Sequence, residues 1–469
     1  MTARERIAAI VDKDSIVEYG RLAGDTTNIE DSAPADGLIT VIGNYRGHPI
    51  AVASYDETVL DGTMSDRNVR KLNKLIYLAI EHRWPLICFA NGEGSRLGDG
   101  HHPPPIMAQT RGRYDLYDGF AQMSGWAPTI SIISGRARDS HVGIAVLSDI
   151  VITTKQSVFA ASGSPGSERT GEELSKYGEI DYLAETESET ITITRKLLDT
   201  YFETPCNPIE SSTHAELENI IPENRRRPYD MRRVITAFSD KDSVIELGEK
   251  WGRSMLTVFA RINSHSVGIF ANQPKSPLAG AIDSAAADKA SRFIEMCDAY
   301  ALPLISFIDN PGYMVGPQSE REGIARHHAR PLTALHHRSV SLFSVQIRKA
   351  YGLGPFAMSG WGSARKVPEL RLAWPSVESG GMSLEGAAYL VKRKEIRAAK
   401  TQEEARRIRD EYAEKTRDAG SGLRAARSLQ FDDVIEPSAT RPLISSMLNR
   451  SPRNIPSGSE RKKTWIDPR

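Results

Sequence analysis

"LITVIGNYRGHPIAVASYDETVLDG" (38–62) decides how this chain is read, because its pattern returns as "MLTVFARINSHSVGIFANQPKSPLAG" (255–280). Each copy reads as two β-rich runs around a polar turn, with His48 and His265 in register. The flanking sequence repeats as well. "RNVRKLNKLIYLAIEHRW" and "AADKASRFIEMCDAYA" carry apolar residues at three- and four-residue steps, which predicts a helix in each copy. A buried-strand run then ends in glycine, "PLICFANGEG" in one copy and "PLISFIDNPG" in the other. Finally "APTISIISGRARDSHVG" (127–143) matches "SVSLFSVQIRKAYGLGP" (339–355), an apolar strand running into a loop. Internal repetition on this scale means two homologous halves of strand, helix, strand and strand. Such alternation favours an α/β architecture with helices covering a sheet. The Pro-, Asn- and charge-rich segment 204–230 is the expected linker, giving an N-terminal domain over 1–227 and a C-terminal domain over 228–469.

Composition narrows the function classes. The chain has 469 residues, enough for two to three domains with their own cores. Lys+Arg and Asp+Glu both number 60, so no whole-chain charge favours nucleic acid or an anionic membrane surface. "MTARERIAAIVDKD" is charged where a secretory signal needs an apolar run, and no later stretch approaches spanning length. Cys88, Cys206 and Cys297 lie far apart without CxxC spacing, which suits a reducing compartment and argues against a disulfide framework or a zinc site. A cytoplasmic protein is expected. The mixed charges of 391–418 predict one long solvated helix rather than a binding patch.

Several stretches together carry a family resemblance: "ANQPKSPLAGAID", "ADKASRFIEMCDAYALPLISFIDNPGYMVG", "RKAYGLG", "LAWPSVESGGMSLEGA" and "PYDMRRVI". The chain resembles the carboxyltransferase (beta) component of biotin-dependent acyl-CoA carboxylases, propionyl-CoA and acetyl-CoA carboxylase-like, in the crotonase superfamily. That resemblance implies two crotonase-like βαβ-spiral domains, the first CoA-binding-like and the second biotin-binding-like. It also implies that carboxybiotin, after releasing CO2, takes the α-proton of the acyl-CoA, so the protein needs no catalytic side chain for proton transfer. What it supplies is backbone N–H groups at glycine-rich turns, which hold the oxygen of the enolate or of the ureido group.

By the same resemblance Leu353 and Gly354 take the place of the amide pair, with Gly352 shaping the turn, and Phe356 falls in the acyl-pocket region. Ala279, Gly280, Gly312 and Tyr313 fall on the biotin side. In the first half Gly94 and Ser95, with Arg96 beside them, match the substrate side, and Asp139-Ser140 stands where the family usually has a small pair. A carboxylate about 4 Å from an oxyanion costs on the order of 1 kcal/mol in water and several times that in a low-dielectric site. Either Asp139 points away, or this half no longer binds a thioester oxyanion. There is no biotin-attachment lysine in a Met-Lys-Met setting, so biotin is expected on a separate carrier protein, charged by a biotin carboxylase. A homo-oligomer, from dimer to hexamer, is expected from the family.

Other readings fit less well. Gly352-x-Gly354 lacks the third glycine of a dinucleotide fingerprint, and no GK[ST] occurs. Asp139, Ser140 and His141 are consecutive and cannot converge on one atom as a triad. The pairs His101–His102, His327–His328 and His336–His337 lack HExxH or cysteine partners, so surface or polar-network roles are expected rather than a metal. "GSPGSERTG" (163–171) reads as a loop, not a phosphate cradle. A biotin-independent crotonase-like decarboxylase or acyl-transfer enzyme, and a non-catalytic assembly subunit, remain as alternatives.

Overall fold

A computed structural model describes residues 1–24, 33–96, 116–161, 166–204, 217–225, 227–360, 369–417, 421–451, 453 and 465–468. His101–His102, residues 205–216 (with Cys206) and 226 of the 204–230 linker, and the start of "GSPGSERTG" lie outside the described residues. The chain divides into two compact units. One comprises Met1–Thr204, Leu247–Trp251 and Ile455–Arg469, and the other Pro205–Glu246 and Gly252–Asn454.

In the first unit a seven-stranded sheet runs in the order β1 (Val17–Tyr19), β2 (Leu38–Tyr45), β3 (His48–Tyr55), β4 (Leu86–Phe89), β5 (Thr129–Ile133), β7 (Ile150–Thr154) and β10 (Tyr182–Ala184). A small sheet of β6 (Arg136–Arg138), β8 (Val158–Ala160) and β9 (Arg169–Thr170) lies beside it in sequence. The other sheet holds β11 (Ile245–Leu247), β12 (Met255–Ile262), β13 (His265–Asn272), β14 (Leu304–Asn310), β15 (Leu342–Tyr351), β16 (Glu369–Ala373) and β18 (Asp433–Val434), while β17 (Glu378–Gly380) pairs with the end of β15.

The two β-rich runs of each copy form antiparallel hairpins, β2–β3 and β12–β13. Their turns have both central residues at positive φ, Arg46-Gly47 at 49° and 82°, and Asn263-Ser264 at 49° and 70°. That twist matches the strands, as in two-residue hairpin turns of the primed kind. Each second strand then continues in parallel, β3–β4–β5 and β13–β14–β15. The connecting helices Asp66–His82 and Ser284–Ala299 start at equivalent caps: Ser65 Oγ accepts from the N–H of Arg67 and Asn68, and Asp283 from that of Ala286. β14 and β15 are buried on both faces, which explains their continuous apolar sequence.

Two expectations need correction. Leu86 pairs with Thr129 and Leu304 with Leu342, so Thr129 is the counterpart of Leu342 and the quoted match of 127–143 to 339–355 is one residue out. The bridges Gly92–Ala137 and Asn310–Ala350 confirm the shifted register. The single helix expected over 391–418 is broken, with Arg393–Ala398 and Gln402–Arg417 as separate helices. Thr401 Oγ1 accepts from Glu404 N–H at 3.1 Å, and Glu404 accepts from Lys400 N–H at 2.9 Å, so a local capping arrangement restarts the helix.

Candidate functional site

The second-half turn is built where β15 ends. Gly352 has φ 60° and donates its N–H to Gly380 O at 3.0 Å, so the strand is still paired there. The chain then turns into the six-residue helix Gly354–Ser359. Among the described residues no group accepts a hydrogen bond from the N–H of Leu353 or Gly354. Leu353 is 57% exposed, so its side chain is not what holds the turn. Gly354 is: a Cβ there would collide with Asn310 Oδ1. Asn310 is fully buried, donates from Nδ2 to Asn272 Oδ1 at 3.0 Å and accepts from Gly312 N–H at 3.0 Å.

The residues expected on the biotin side gather around the same turn. Ile282 N–H donates to Gly312 O at 3.0 Å, and Met314 N–H to Ile282 O at 2.9 Å, which ties the Ala279-Gly280 loop to Gly312-Tyr313. Ala279 has φ 51° and Gly280 φ 84°. A Cβ on Gly280 would sit 2.6 Å from Asp309 O, and one on Gly312 would sit 3.2 Å from Tyr351 O. Tyr351 donates its hydroxyl to the buried Glu378 carboxylate. Tyr313 lies against His328, ring centroids 3.5 Å apart, and burial lowers the pKa of that imidazole. His327 Nδ1 contacts Asp288 at 2.8 Å, a polar-network role. Phe356 lines a cavity of ≈ 410 Å³ that begins at Gly352.

The first half repeats this plan with altered parts. The corrected register makes Asp139 the counterpart of Gly352, and Ser140-His141 that of Leu353-Gly354. Asp139 has φ 48° and ψ −114°, a conformation that suits glycine, and it donates its N–H to Ala160 O at 2.9 Å just as Gly352 does to Gly380. Asp139 thus occupies the turn position rather than the first position of an amide pair. Its carboxylate accepts from Ser95 Oγ at 2.6 Å and Ser140 Oγ at 3.2 Å. It therefore lies across the two segments that the resemblance puts on the substrate side. Gly94, with φ 85°, packs against it: a Cβ there would be 3.1 Å from Asp139 Cβ.

Arg96 is not a free cation. Its Nη1 pairs with buried Asp36 at 2.6 Å, its Nε donates to Thr63 Oγ1 at 3.1 Å, and its Nη2 bonds the carbonyls of Thr63 and Asp36. The guanidinium anchors the loop to the helix start instead of offering charge to a substrate.

Side chains exchange places between the halves. Gly92 is the counterpart of Asn310, and His141 of Gly354. Where Asn310 fills the space that Gly354 leaves, His141 fills the space that Gly92 leaves, its Nε2 2.6 Å from a Cβ on Gly92. Tyr55, the counterpart of Asn272 by strand register, stacks edge-on against His141 at 4.5 Å. Burial pushes the His141 imidazole down to about 4, so it is neutral in the fold. His141 enters the sequence reading only as a member of a triad that is set aside, and Asn310 is not singled out at all. The Gly at one partner and the larger residue at the other was the available signal.

The carboxyl transferase domain family matches residues 1–461. The methylmalonyl-CoA carboxyltransferase 12S subunit of Propionibacterium freudenreichii is 32% identical over 95% of this chain and 88% of its own. The biotin-dependent acetyl-/propionyl-coenzyme A carboxylase beta5 subunit of Mycobacterium tuberculosis is 32% identical over 97% and 87%. Among solved structures, a transcarboxylase 12S hexamer with methylmalonyl-CoA bound superposes with a TM-score of 0.84 at 32% identity, over 98% of this chain and 91% of that one. A single-chain, multi-domain long-chain acyl-CoA carboxylase superposes at 0.86 and 32% identity, this chain spanning 45% of it. The crotonase-like fold expected from the sequence is the observed one.

Two predictions follow from the packing at the turns. Gly354→Ala should lower stability by about 1–3 kcal/mol through overpacking against Asn310. Adding Asn310→Gly should cost less than the sum of the two single changes, read as a coupling in a double-mutant cycle of urea unfolding. His141 has a folded pKa of about 4 against 6.5 unfolded, so its contribution is complete above pH 6.5 and is lost as the pH falls towards 4. That amounts to about 3 kcal/mol. Replacing it, as in His141→Gln, should flatten the loss of melting temperature between pH 7 and 4.5; an unchanged slope would contradict a buried neutral imidazole.

Proposed function

The chain belongs to the carboxyl transferase domain family, and from that premise we propose that the second-half turn is where negative charge is held during carboxyl transfer. The protein is the carboxyltransferase component of a biotin-dependent acyl-CoA carboxylase. Its N–H groups of Leu353 and Gly354 bond the oxyanion, and Gly352 sets the turn. The observation that carries this reading is the fate of three successive amides. The first is spent on Gly380, and the next two have no acceptor among the described residues. Donors fixed in this way stabilise an oxyanion without reorganising when charge develops.

Carboxybiotin, brought by a separate carrier and charged by a biotin carboxylase, supplies the carboxyl group and a base for the α-proton. The Ala279-Gly280 loop and Gly312-Tyr313 hold its ring, because Gly280 and Gly312 let backbone approach backbone where a side chain would collide or crowd. Phe356 borders the acyl group of the CoA thioester. In the first half Gly94, Ser95 and Ser140 serve the second ligand only when the Asp139 carboxylate leaves the hydroxyls of the two serines. The working assembly is a homo-oligomer, as in the hexameric 12S structure. Among the described residues no helix is long and apolar enough to cross a membrane, and a cytoplasmic location fits the reading.

Leu353→Ala keeps the N–H and should change turnover little. Leu353→Pro removes it and should cost roughly 3 kcal/mol, a hundredfold or more in rate, equally in carboxylation and in decarboxylation of the product. Matched oligomer size and melting temperature are the control, and equal activity of the two variants would take Leu353 out of the mechanism. Asp139→Gly should raise stability by about 1 kcal/mol by relieving the positive φ. It should also raise turnover on a simple acyl-CoA. A fall in turnover with the fold intact would give the carboxylate a positive role.

A further inference from the structure

Each half carries the same irregularity just ahead of its turn. On β14 and β15 the register runs from Ile308–Gln346 to Asn310–Ala350, so two steps along one strand match four along the other. In the first half it runs from Phe89–Ile132 to Gly92–Ala137, three steps against five. The excess is two residues in both. Beyond the bulge each strand changes partner. β15 pairs with β16 up to Gln346 and with β17 from Lys349. β5 pairs with β7, and its continuation β6 pairs with β8. That change of partner brings Gly352 to the Gly380 carbonyl and Asp139 to that of Ala160, the bonds after which the amides are released. A bulge beside a site re-aims the chain in this way.

One buried side chain braces each bulge. Asn91 and Asp309 are counterparts by register, and both are fully buried. Asn91 Oδ1 accepts from the N–H of Ser134 at 3.0 Å and of Gly135 at 3.2 Å. Asp309 Oδ1 accepts from Lys349 N–H at 3.2 Å, and its Oδ2 from Arg348 Nε at 3.0 Å. The difference between the halves is charge. Arg348 stands where the first half has Gly135 and is 3% exposed. It also donates from Nη1 to Arg227 O at 3.0 Å and lies over the Tyr229 ring, 5.0 Å from its centre. A buried guanidinium needs the carboxylate, because breaking such a pair leaves an uncompensated charge. The backbone needs only an acceptor, which a neutral amide supplies in the first half.

We propose that Asp309 is a positioning residue for carboxyl transfer: by bracing the β15 bulge it sets where the Leu353 and Gly354 amides point. The inference rests on the reading of that turn as the place where negative charge is held. It also accounts for the basic pair that leads into the turn, since the Arg348 guanidinium and the Lys349 N–H are both partners of Asp309.

The test compares two matched double variants as the intact oligomer. Asp309→Asn with Arg348→Met removes the ion pair but keeps an acceptor for the Lys349 N–H. Asp309→Leu with Arg348→Met removes the acceptor as well, and Asp309→Ala in the same background replaces it if the leucine variant does not assemble. Carboxyl transfer from methylmalonyl-CoA to free biotin gives kcat and KM, and hydrogen exchange read by mass spectrometry follows residues 347–352. The leucine variant should lose about thirtyfold or more in kcat, with KM for methylmalonyl-CoA within about twofold, because misaimed donors cost the transition state. Its 347–352 segment should exchange about tenfold faster while exchange in β12 and β13 and the melting temperature stay those of the asparagine variant. The asparagine variant should keep kcat within about threefold of the parent, with parent-like exchange. Equal kcat in the two variants, whether high or low, would overturn the assignment. The proposed function fails separately: no carboxyl transfer by the parent, with the difference in exchange intact, would remove the reaction and leave the brace.

Discussion

The half-sites depend on one backbone requirement: a strand must leave a parallel sheet at positive φ, after spending its own N–H on a neighbouring strand, and release the following amides unbonded. Gly352 and Asp139 meet it at equivalent places, bonding Gly380 and Ala160. The rest of each half-site serves that turn. The hairpins and parallel strands fix its height, the Gly62 and Gly280 loops press close to the carbonyls of Asn91 and Asp309, and a buried side chain wedges the turn from below. If the chemistry is the backbone chemistry proposed above, the side chains that matter are those that leave room and those that fill it.

Much of this was legible in the sequence. The hairpins, the two amphipathic helices and the glycine-ended strands follow from periodicity and repetition, which local physics enforces strongly. The one-residue error in matching 127–143 to 339–355 has an equally plain origin. Both segments are uninterrupted apolar strand, and nothing within such a run marks its register until a neighbouring strand pairs with it. The break at Ala399–Thr401 was available as the Thr-x-x-Glu of Thr401 and Glu404, but a run of mixed charge reads as one solvated helix when the caps are not weighed.

The wedge residues were not legible, and the reason is physical. His141 packs on Gly92, and Gly354 under Asn310, across separations of more than forty residues. A glycine signals only that a side chain is missing. Which residue fills the gap is decided by the fold, and in this chain the two halves decide it in opposite directions. Arg96 is a similar case: its place beside Gly94 and Ser95 put it on the substrate side by resemblance, whereas in the fold it is paired with the buried Asp36, sixty residues earlier. Asp139 was visible as an anomaly, but only the register identified it as a turn residue.

Cys88 sits on β4 of one unit and Cys297 in the helix Ser284–Ala299 of the other, both fully buried and unpaired. Burial pushes the Cys88 thiol up to about 12, and Cys297 well above its ordinary value, with the Cys297 sulfur packed against Gly268. Neither thiol is nucleophilic while its strand and helix stay closed, because thiolate and access are both withheld. The rate at which an alkylating reagent reaches each one is therefore a clock for the opening of its own unit. In a Cys206-free background the chain carries one such native reporter in each half, and the cooperativity between its halves is written in whether the two clocks keep the same time.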